Sequence, residues 1–75
     1  MDEMIKILLG IIRSNMDSNF DVIFDDDSRY IIEITDADNN GTFGFRIIEP
    51  AQDDPDIIYE DNLTNLTRLG TVDKE

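Results

Sequence analysis

Polar residues recur at almost every fourth position along the first 17 residues of the chain, with apolar residues between them. The polar positions are Asp2, Lys6, Gly10, Arg13 and Asp17. A period near 3.6 places them on one side of a helix and predicts an amphipathic helix over residues 1–17. Ile7 and Leu9 make the apolar side wider than one sheet face usually covers. A strand over Ile5–Ile12 is the less favoured alternative because the period is not 2.

The next three segments alternate apolar and polar residues with a period of two. The apolar positions are Phe20, Val22 and Phe24, then Tyr30, Ile32 and Ile34, then Phe43, Phe45 and Ile47. This alternation predicts three strands, each with one apolar face. Short polar connections join them, so we expect an antiparallel meander over residues 19–49.

The two connections within the meander predict its register. Asp25–Asp27 is a three-residue loop, and an odd length keeps the apolar faces of its two strands together. Asp38–Gly41 contains Asn-Gly, in which glycine supplies the positive φ of a tight turn, and a four-residue loop fits better than a two-residue one. The expected pairs are Val22 with Tyr30, Phe20 with Ile32, Ile34 with Phe45, Ile32 with Ile47, and Glu33 with Arg46.

The C-terminal third of the chain has a weaker pattern. Asp56–Glu60 can form a short fourth strand, and leucines then recur every three residues between Asp61, a candidate N-cap, and Gly70, a candidate C-cap. We therefore predict a short strand and a short helix over residues 50–70 and a loose tail over residues 71–75. The predicted fold class is α+β in one small domain, residues 1–75, with the N-terminal helix on a three- to four-stranded antiparallel sheet.

The composition excludes much of enzyme chemistry. The 75 residues contain no cysteine and no histidine, which removes disulfides, thiolate nucleophiles, imidazole bases and the usual structural zinc ligands. We predict a protein that is not an enzyme and holds no cofactor or metal. The apolar run near the N-terminus is far shorter than the roughly 20 residues of a membrane span, so we expect a cytoplasmic protein with no membrane partner.

The net charge of −12 is concentrated in the middle of the chain. Residues 17–61 hold 14 acidic residues and two arginines, and the charges of the two ends cancel. Alternate residues of a strand lie about 6.6 Å apart, which is comparable to the spacing of phosphates along a nucleic-acid strand. The predicted partner-binding carboxylates are Asp21, Asp25, Asp26, Asp27, Glu33, Asp36, Asp38, Asp53, Asp54 and Asp56.

Three interpretations of this charge remain open: a solvated surface, adaptation to salt, and mimicry of nucleic acid. Salt adaptation is the weakest, because the apolar residues include twelve isoleucines and few valines. In length, acidity, absence of cysteine and order of elements, the chain resembles phage-encoded inhibitors of nucleic-acid enzymes, including DNA mimics and anti-CRISPR proteins. The resemblance implies an inhibitor that occupies the basic groove of a host nuclease or similar protein, in the host cytoplasm if the chain is viral. Direct nucleic-acid binding is not expected, because a basic patch is missing.

The wide apolar side of the helix predicts a second function. Ile7 and Leu9 could form part of a homodimer interface or a groove for a partner helix, which would make the chain an acidic protein–protein interaction module.

One segment has part of a calcium-binding pattern. Asp36–Gly41 places oxygen ligands at positions one, three and five of a calcium loop and glycine at position six. Position twelve, which requires a bidentate glutamate, is Ile47. We therefore favour a polar hairpin turn, with weak millimolar calcium binding left open.

Overall fold

A computed structural model describes residues 3–16 and 18–72. The described elements are α1 (Glu3–Ser14), β1 (Asn19–Phe24), β2 (Arg29–Ala37), β3 (Thr42–Glu49), β4 (Tyr59–Asn62), a 3₁₀ turn η1 (Leu63–Asn65) and β5 (Leu66–Val72). The strands form one antiparallel sheet in the order β4-β3-β2-β1-β5. The α+β class is confirmed, but the sheet has five strands where three to four were predicted.

Helix α1 follows the predicted amphipathic pattern. Glu3 lies in its first turn and Arg13 in its last, which suits the helix dipole. The helix buries Leu9 and Ile12 against the sheet, so Leu9 belongs to the core and not to an excess of apolar surface. The parts of the prediction that fall on residues 1, 2 and 17 lie outside the described residues.

The three central strands pair as the sequence predicts. Val22 pairs with Tyr30 and Phe20 with Ile32 in the first hairpin. In the second hairpin the pairs are Ile34 with Phe45, Ile32 with Ile47, and Glu33 with Arg46. The meander over residues 19–49 and its register are therefore confirmed. Two irregularities, near Ile31 and near Thr35, interrupt the second ladder.

Both hairpin turns use a residue with positive φ. Asp27 has a φ of 67° in the three-residue loop, which an aspartate tolerates better than most residues do. Gly41 has a φ of 89° at the end of the four-residue loop. A Cβ at Gly41 would lie 3.1 Å from Ile5 Cγ2 of α1, so both the backbone and the close helix favour glycine there.

The predicted C-terminal helix is wrong. Leu63–Asn65 forms only a 3₁₀ turn, capped by Asn62, whose side chain accepts a hydrogen bond from the Thr64 N–H. Residues 66–72 form β5, which pairs with β1, so Thr71 and Val72 are not in a loose tail. Two threonines and a valine in this segment favour a strand, and the free edge of β1 supplies the partner that makes the strand stable.

The sheet is strongly curled, because its two edge strands are joined by a short turn. Strands β4 and β5 lie at opposite edges, yet only the three residues of η1 separate them. A flat sheet of five strands would hold these edges roughly 19 Å apart, from four spacings of about 4.8 Å. A 3₁₀ turn rises only about 2 Å per residue and cannot span that distance. The sheet therefore rolls around its apolar inner face.

The core lies between this inner face and α1. Its buried side chains are Leu9, Ile12, Phe20, Val22, Phe24, Ile32, Ile34, Phe43, Phe45 and Leu63. No polar or charged side chain of the described residues is buried. The fold thus depends on apolar packing, and the described charged residues all lie where solvent reaches them.

Candidate binding surfaces

Two carboxylates on the outer face of the sheet, those of Asp21 and Glu33, pair with arginines. Arg29 on β2 donates two hydrogen bonds to Asp21 on β1, from Nε to Oδ1 at 2.9 Å and from Nη2 to Oδ2 at 2.5 Å. Arg68 on β5 approaches the same Oδ2 to 4.0 Å. The hydrogen bond from Arg29 lowers the pKa of Asp21, and the carboxylate in turn raises the pKa of Arg29.

A second ion pair lies on the same face. Arg46 on β3 donates to the carboxylate of Glu33, which is the cross-strand pair predicted from the sequence. Asp21 and Glu33 are therefore partly neutralised, although both were predicted as partner-binding carboxylates. The outer face therefore carries Arg29, Arg46 and Arg68 beside these two carboxylates.

Seven acidic residues without an arginine partner lie in two connections at one end of the sheet, which we call the acidic end. The β1–β2 turn and the β3–β4 loop both leave the sheet beside the start of β2, because Glu49 pairs with Ile31. These connections carry Asp25, Asp26, Asp27, Glu49, Asp53, Asp54 and Asp56, all exposed. Within the described part of the chain, none of these seven carboxylates forms an ion pair. Six of the ten predicted partner-binding carboxylates thus lie in these two connections: Asp25, Asp26, Asp27, Asp53, Asp54 and Asp56.

Local hydrogen bonds order part of the acidic end. Asp26 Oδ1 accepts from the Ser28 hydroxyl at 2.5 Å and from the Ser28 N–H at 3.0 Å. These bonds lower the pKa of Asp26. Asp54 Oδ1 accepts from the Asp56 N–H at 3.1 Å, which shapes the β3–β4 loop.

Asp36 and Asp38 belong to a different place. With Glu60 of β4 they line an open groove of about 150 Å³ over Gly44. Asp38 Oδ1 accepts from the N–H groups of Asn40 and Thr42, so this carboxylate shapes the hairpin turn. Across residues 3–16 and 18–72, no group of three or more carboxylates has the arrangement to hold a metal ion.

An aromatic pocket of about 220 Å³ opens on the inner face beside the acidic end. Its lining consists of Phe24, Asp26, Ser28, Tyr30, Phe45, Ile47, Tyr59 and Asp61. Phe45 lies between two rings, at 5.6 Å from Tyr59 and 5.7 Å from Phe24 between centroids, and Tyr30 meets Phe24 edge to face at 5.8 Å. The rings form a continuous row across four strands, and two carboxylates share their pocket.

The outward side of α1 carries a second apolar surface, the outer helix stripe. It consists of Met4, Ile7 and Ile11, which are 68%, 60% and 41% exposed. Their spacing of three and four residues places them on one side of the helix, away from Leu9 and Ile12. The prediction that Ile7 lies outside the core stripe agrees with its exposure.

Several residues of these surfaces were not predicted from the sequence. The sequence makes Asp61 a candidate helix N-cap, whereas the structure places it on β4 opposite Phe43. Tyr59 does lie in a strand, as predicted, but its position opposite Phe45 was not predicted. The spacing of two between Tyr59 and Asp61 is the only sequence signal for a shared face. Arg68 was assigned to a helix, so its approach to Asp21 could not be foreseen.

No protein-family model matches this sequence, and no curated protein or solved structure is significantly similar to it. Helix α1 has 12 residues, and the part of the chain that the structure describes contains no helix suited to crossing a membrane.

Proposed function

We propose that the protein is a non-enzymatic inhibitor whose acidic end docks on the basic nucleic-acid-binding groove of a target enzyme. The observation that supports this proposal is the separation of the two kinds of carboxylate. Asp21 and Glu33 on the outer face are held by arginines, whereas the seven carboxylates of the acidic end have no such partner among the described residues. Unpaired carboxylates can take the place of phosphates in a groove lined by lysine and arginine.

Two further features favour this mode of binding. The unpaired carboxylates project from a turn and a loop, so they can follow a curved groove more easily than side chains fixed in a sheet. A strongly negative protein also approaches a basic surface faster, because the opposite charges steer the encounter.

A binding role is favoured over catalysis by the exposure of the titratable groups. No acid or base of the described residues is buried, so none is placed in the apolar surroundings that tune a catalytic pKa. An inhibitor that acts by occupying a groove needs no such group and no cofactor.

Binding to purified basic nucleases over a series of salt concentrations tests the proposal. For a nuclease that the protein inhibits, we expect log affinity to fall linearly with log salt, with a slope of about 0.9 per phosphate-like contact. Duplex or single-stranded nucleic acid should displace the protein from its target. A slope near zero without such competition would exclude mimicry.

Two triple variants with the same change in net charge locate the contact. Changing Asp53, Asp54 and Asp56 together to Asn should reduce the slope by about two to three. The matched control, Asp36→Asn with Asp38→Asn and Glu60→Gln, should reduce it by less than one. Equal effects of the two variants would show that total charge matters and the acidic end does not.

A homodimer or partner-binding interface on the outer helix stripe is the second candidate function. The observation that favours it is the 60% exposure of Ile7 between Met4 and Ile11 on a helix whose other apolar side is already packed. Such a stripe in water costs free energy that a second apolar surface would recover.

Sedimentation at two protein concentrations separates these candidates. A dimer through the stripe should dissociate on dilution, and Ile7→Lys should make the protein monomeric at every concentration. If the protein binds only through the acidic end, Ile7→Lys and the parent protein should sediment alike in the absence of a target. The affinity of Ile7→Lys for a nuclease target should then fall with salt concentration at the same slope as that of the parent protein.

A further inference from the structure

The aromatic pocket joins two features that together define a ligand. Its lining includes the rings of Phe24, Tyr30, Phe45 and Tyr59 and the carboxylates of Asp26 and Asp61. Phe24 and Phe45 are each only 6% exposed, so the two tyrosines present most of the accessible ring surface. The faces of aromatic rings carry a negative quadrupole and attract cations, with guanidinium and ammonium groups as the usual partners. Aromatic rings without carboxylates would suit any apolar group, and carboxylates without rings would suit any hydrated ion. The combination is specific for a cation that also has apolar surface.

Hydrogen bonds within the described part of the protein use only one oxygen of each carboxylate. Asp26 uses Oδ1 for both bonds from Ser28. Asp61 uses Oδ1 for Asn65 Nδ2 at 2.6 Å and for the Asn62 N–H at 2.7 Å. Within residues 3–16 and 18–72, the second oxygen of each carboxylate receives no hydrogen bond and the lining contains no lysine or arginine. The internal bonds thus hold both carboxylates in place and leave an acceptor on each for a ligand.

The size of the pocket suits one side-chain-sized group. Its volume of about 220 Å³ is equivalent to roughly seven water molecules at about 30 Å³ each. Sites for drug-sized ligands usually have about 300–1,000 Å³. Tyr59 is 37% exposed, so one wall of the pocket remains accessible from solvent.

We propose that the aromatic pocket binds a single organic cation, a guanidinium or alkylammonium group, carried as a side chain by a partner protein. A protein partner is favoured over a free small molecule because Asp26 lies both in the pocket and in the acidic end, so a basic surface docked there would bring its side chains to the pocket. The inference requires a cationic partner, but not one that binds nucleic acid. It can therefore fail or succeed separately from mimicry.

Titration with N-acetyl-arginine amide, followed by backbone amide shifts in NMR spectra at constant ionic strength, tests the pocket directly. We expect saturable shifts at Tyr30, Phe45 and Tyr59 with a millimolar Kd. N-acetyl-citrulline amide has the same shape without the charge and should bind at least tenfold more weakly. Equal binding of the two, or shifts that never saturate, would overturn the proposal.

Variants separate the pocket from the overall charge. Tyr59→Leu and Asp61→Asn should each weaken binding about three- to tenfold, and Tyr30→Leu provides a second ring variant if Tyr59→Leu perturbs the fold. The control Asp53→Asn removes one charge outside the pocket and should change Kd less than twofold. An equal effect of Asp53→Asn and Asp61→Asn would show non-specific attraction. Tighter binding of choline than of the arginine amide would overturn the assignment to a side chain.

Discussion

The two faces of the sheet are made from the same strands but have opposite roles. On the inner face, alternate residues such as Phe20, Val22 and Ile32 are completely buried. On the outer face, Asp21 and Glu33 alternate with them and remain partly exposed in ion pairs with arginines. The inner face stabilises the fold, whereas the outer face and the acidic end determine what the surface can bind. A chain with a net charge of −12 can fold because its charged residues take almost no part in the core.

Truncation of a core residue should have the largest effect on stability. Ile12→Ala removes a fully buried side chain at the contact of α1 with the sheet, so the free energy of unfolding should fall by about 2–5 kcal/mol. A domain of this length has only about 4–11 kcal/mol in total. Urea denaturation measures the change.

Ile7→Ala is the matched control on the same helix. Ile7 is 60% exposed, so its truncation should change the free energy of unfolding by less than about 0.5 kcal/mol. Similar losses for the two variants would mean that the outer helix stripe is covered in solution, and would favour the homodimer.

The central hairpins could be predicted from the sequence because the signals are local. The alternation of Phe20, Val22 and Phe24 defines a strand face, and the lengths of the two loops then leave one register that keeps like faces together. The helix has a similarly local signal in its period. In each case the residues that determine the element lie within it or directly beside it.

The C-terminal strand could not be predicted in this way. A leucine at every third position suits a helix, and nothing within residues 63–69 shows that β1 has a free edge. The partner lies more than 40 residues away in sequence, and its pairing decides the structure. The aromatic pocket depends on the same kind of information, because Tyr59 and Asp61 share a face with Phe45 only once the register of β4 is fixed. The sequence also does not show which carboxylates lack an arginine partner, because that depends on the three-dimensional arrangement.

The ion pair between Glu33 and Arg46 should contribute much less than the core. Both side chains are partly exposed, at 22% and 36%, so solvent and salt weaken their attraction. A double-mutant cycle with Glu33→Gln and Arg46→Met should give a coupling energy of about 0.5–1 kcal/mol, measured by urea denaturation. A coupling comparable to the loss in Ile12→Ala would remove the distinction between the two faces.

The pH dependence of stability tests the other ion pair of the outer face. Arg29 lowers the pKa of Asp21 in the folded protein, so the unfolded chain holds this proton more tightly than the folded one. The contribution of this ion pair to stability is therefore present at neutral pH and is lost as the pH falls through about 4 and below. Asp21→Asn should make the acid limb of the thermal stability profile less steep. Asp25→Asn, which removes a carboxylate that forms no ion pair among the described residues, should leave this limb closer to that of the parent.

Neutralisation of the β1–β2 turn should have the smallest effect, and one of opposite sign. Changing Asp25, Asp26 and Asp27 together to Asn removes repulsion among adjacent charges, so the melting temperature should rise by about 1–3 °C at low salt. Asn at position 26 keeps an oxygen for the bonds from Ser28, and Asn at position 27 tolerates the positive φ. At high salt the rise should disappear, because screening already removes the repulsion. Unfolding of this variant, measured by circular dichroism, would mean that the carboxylates of the acidic end are part of the framework of the fold, and the contrast with the inner face would then no longer hold.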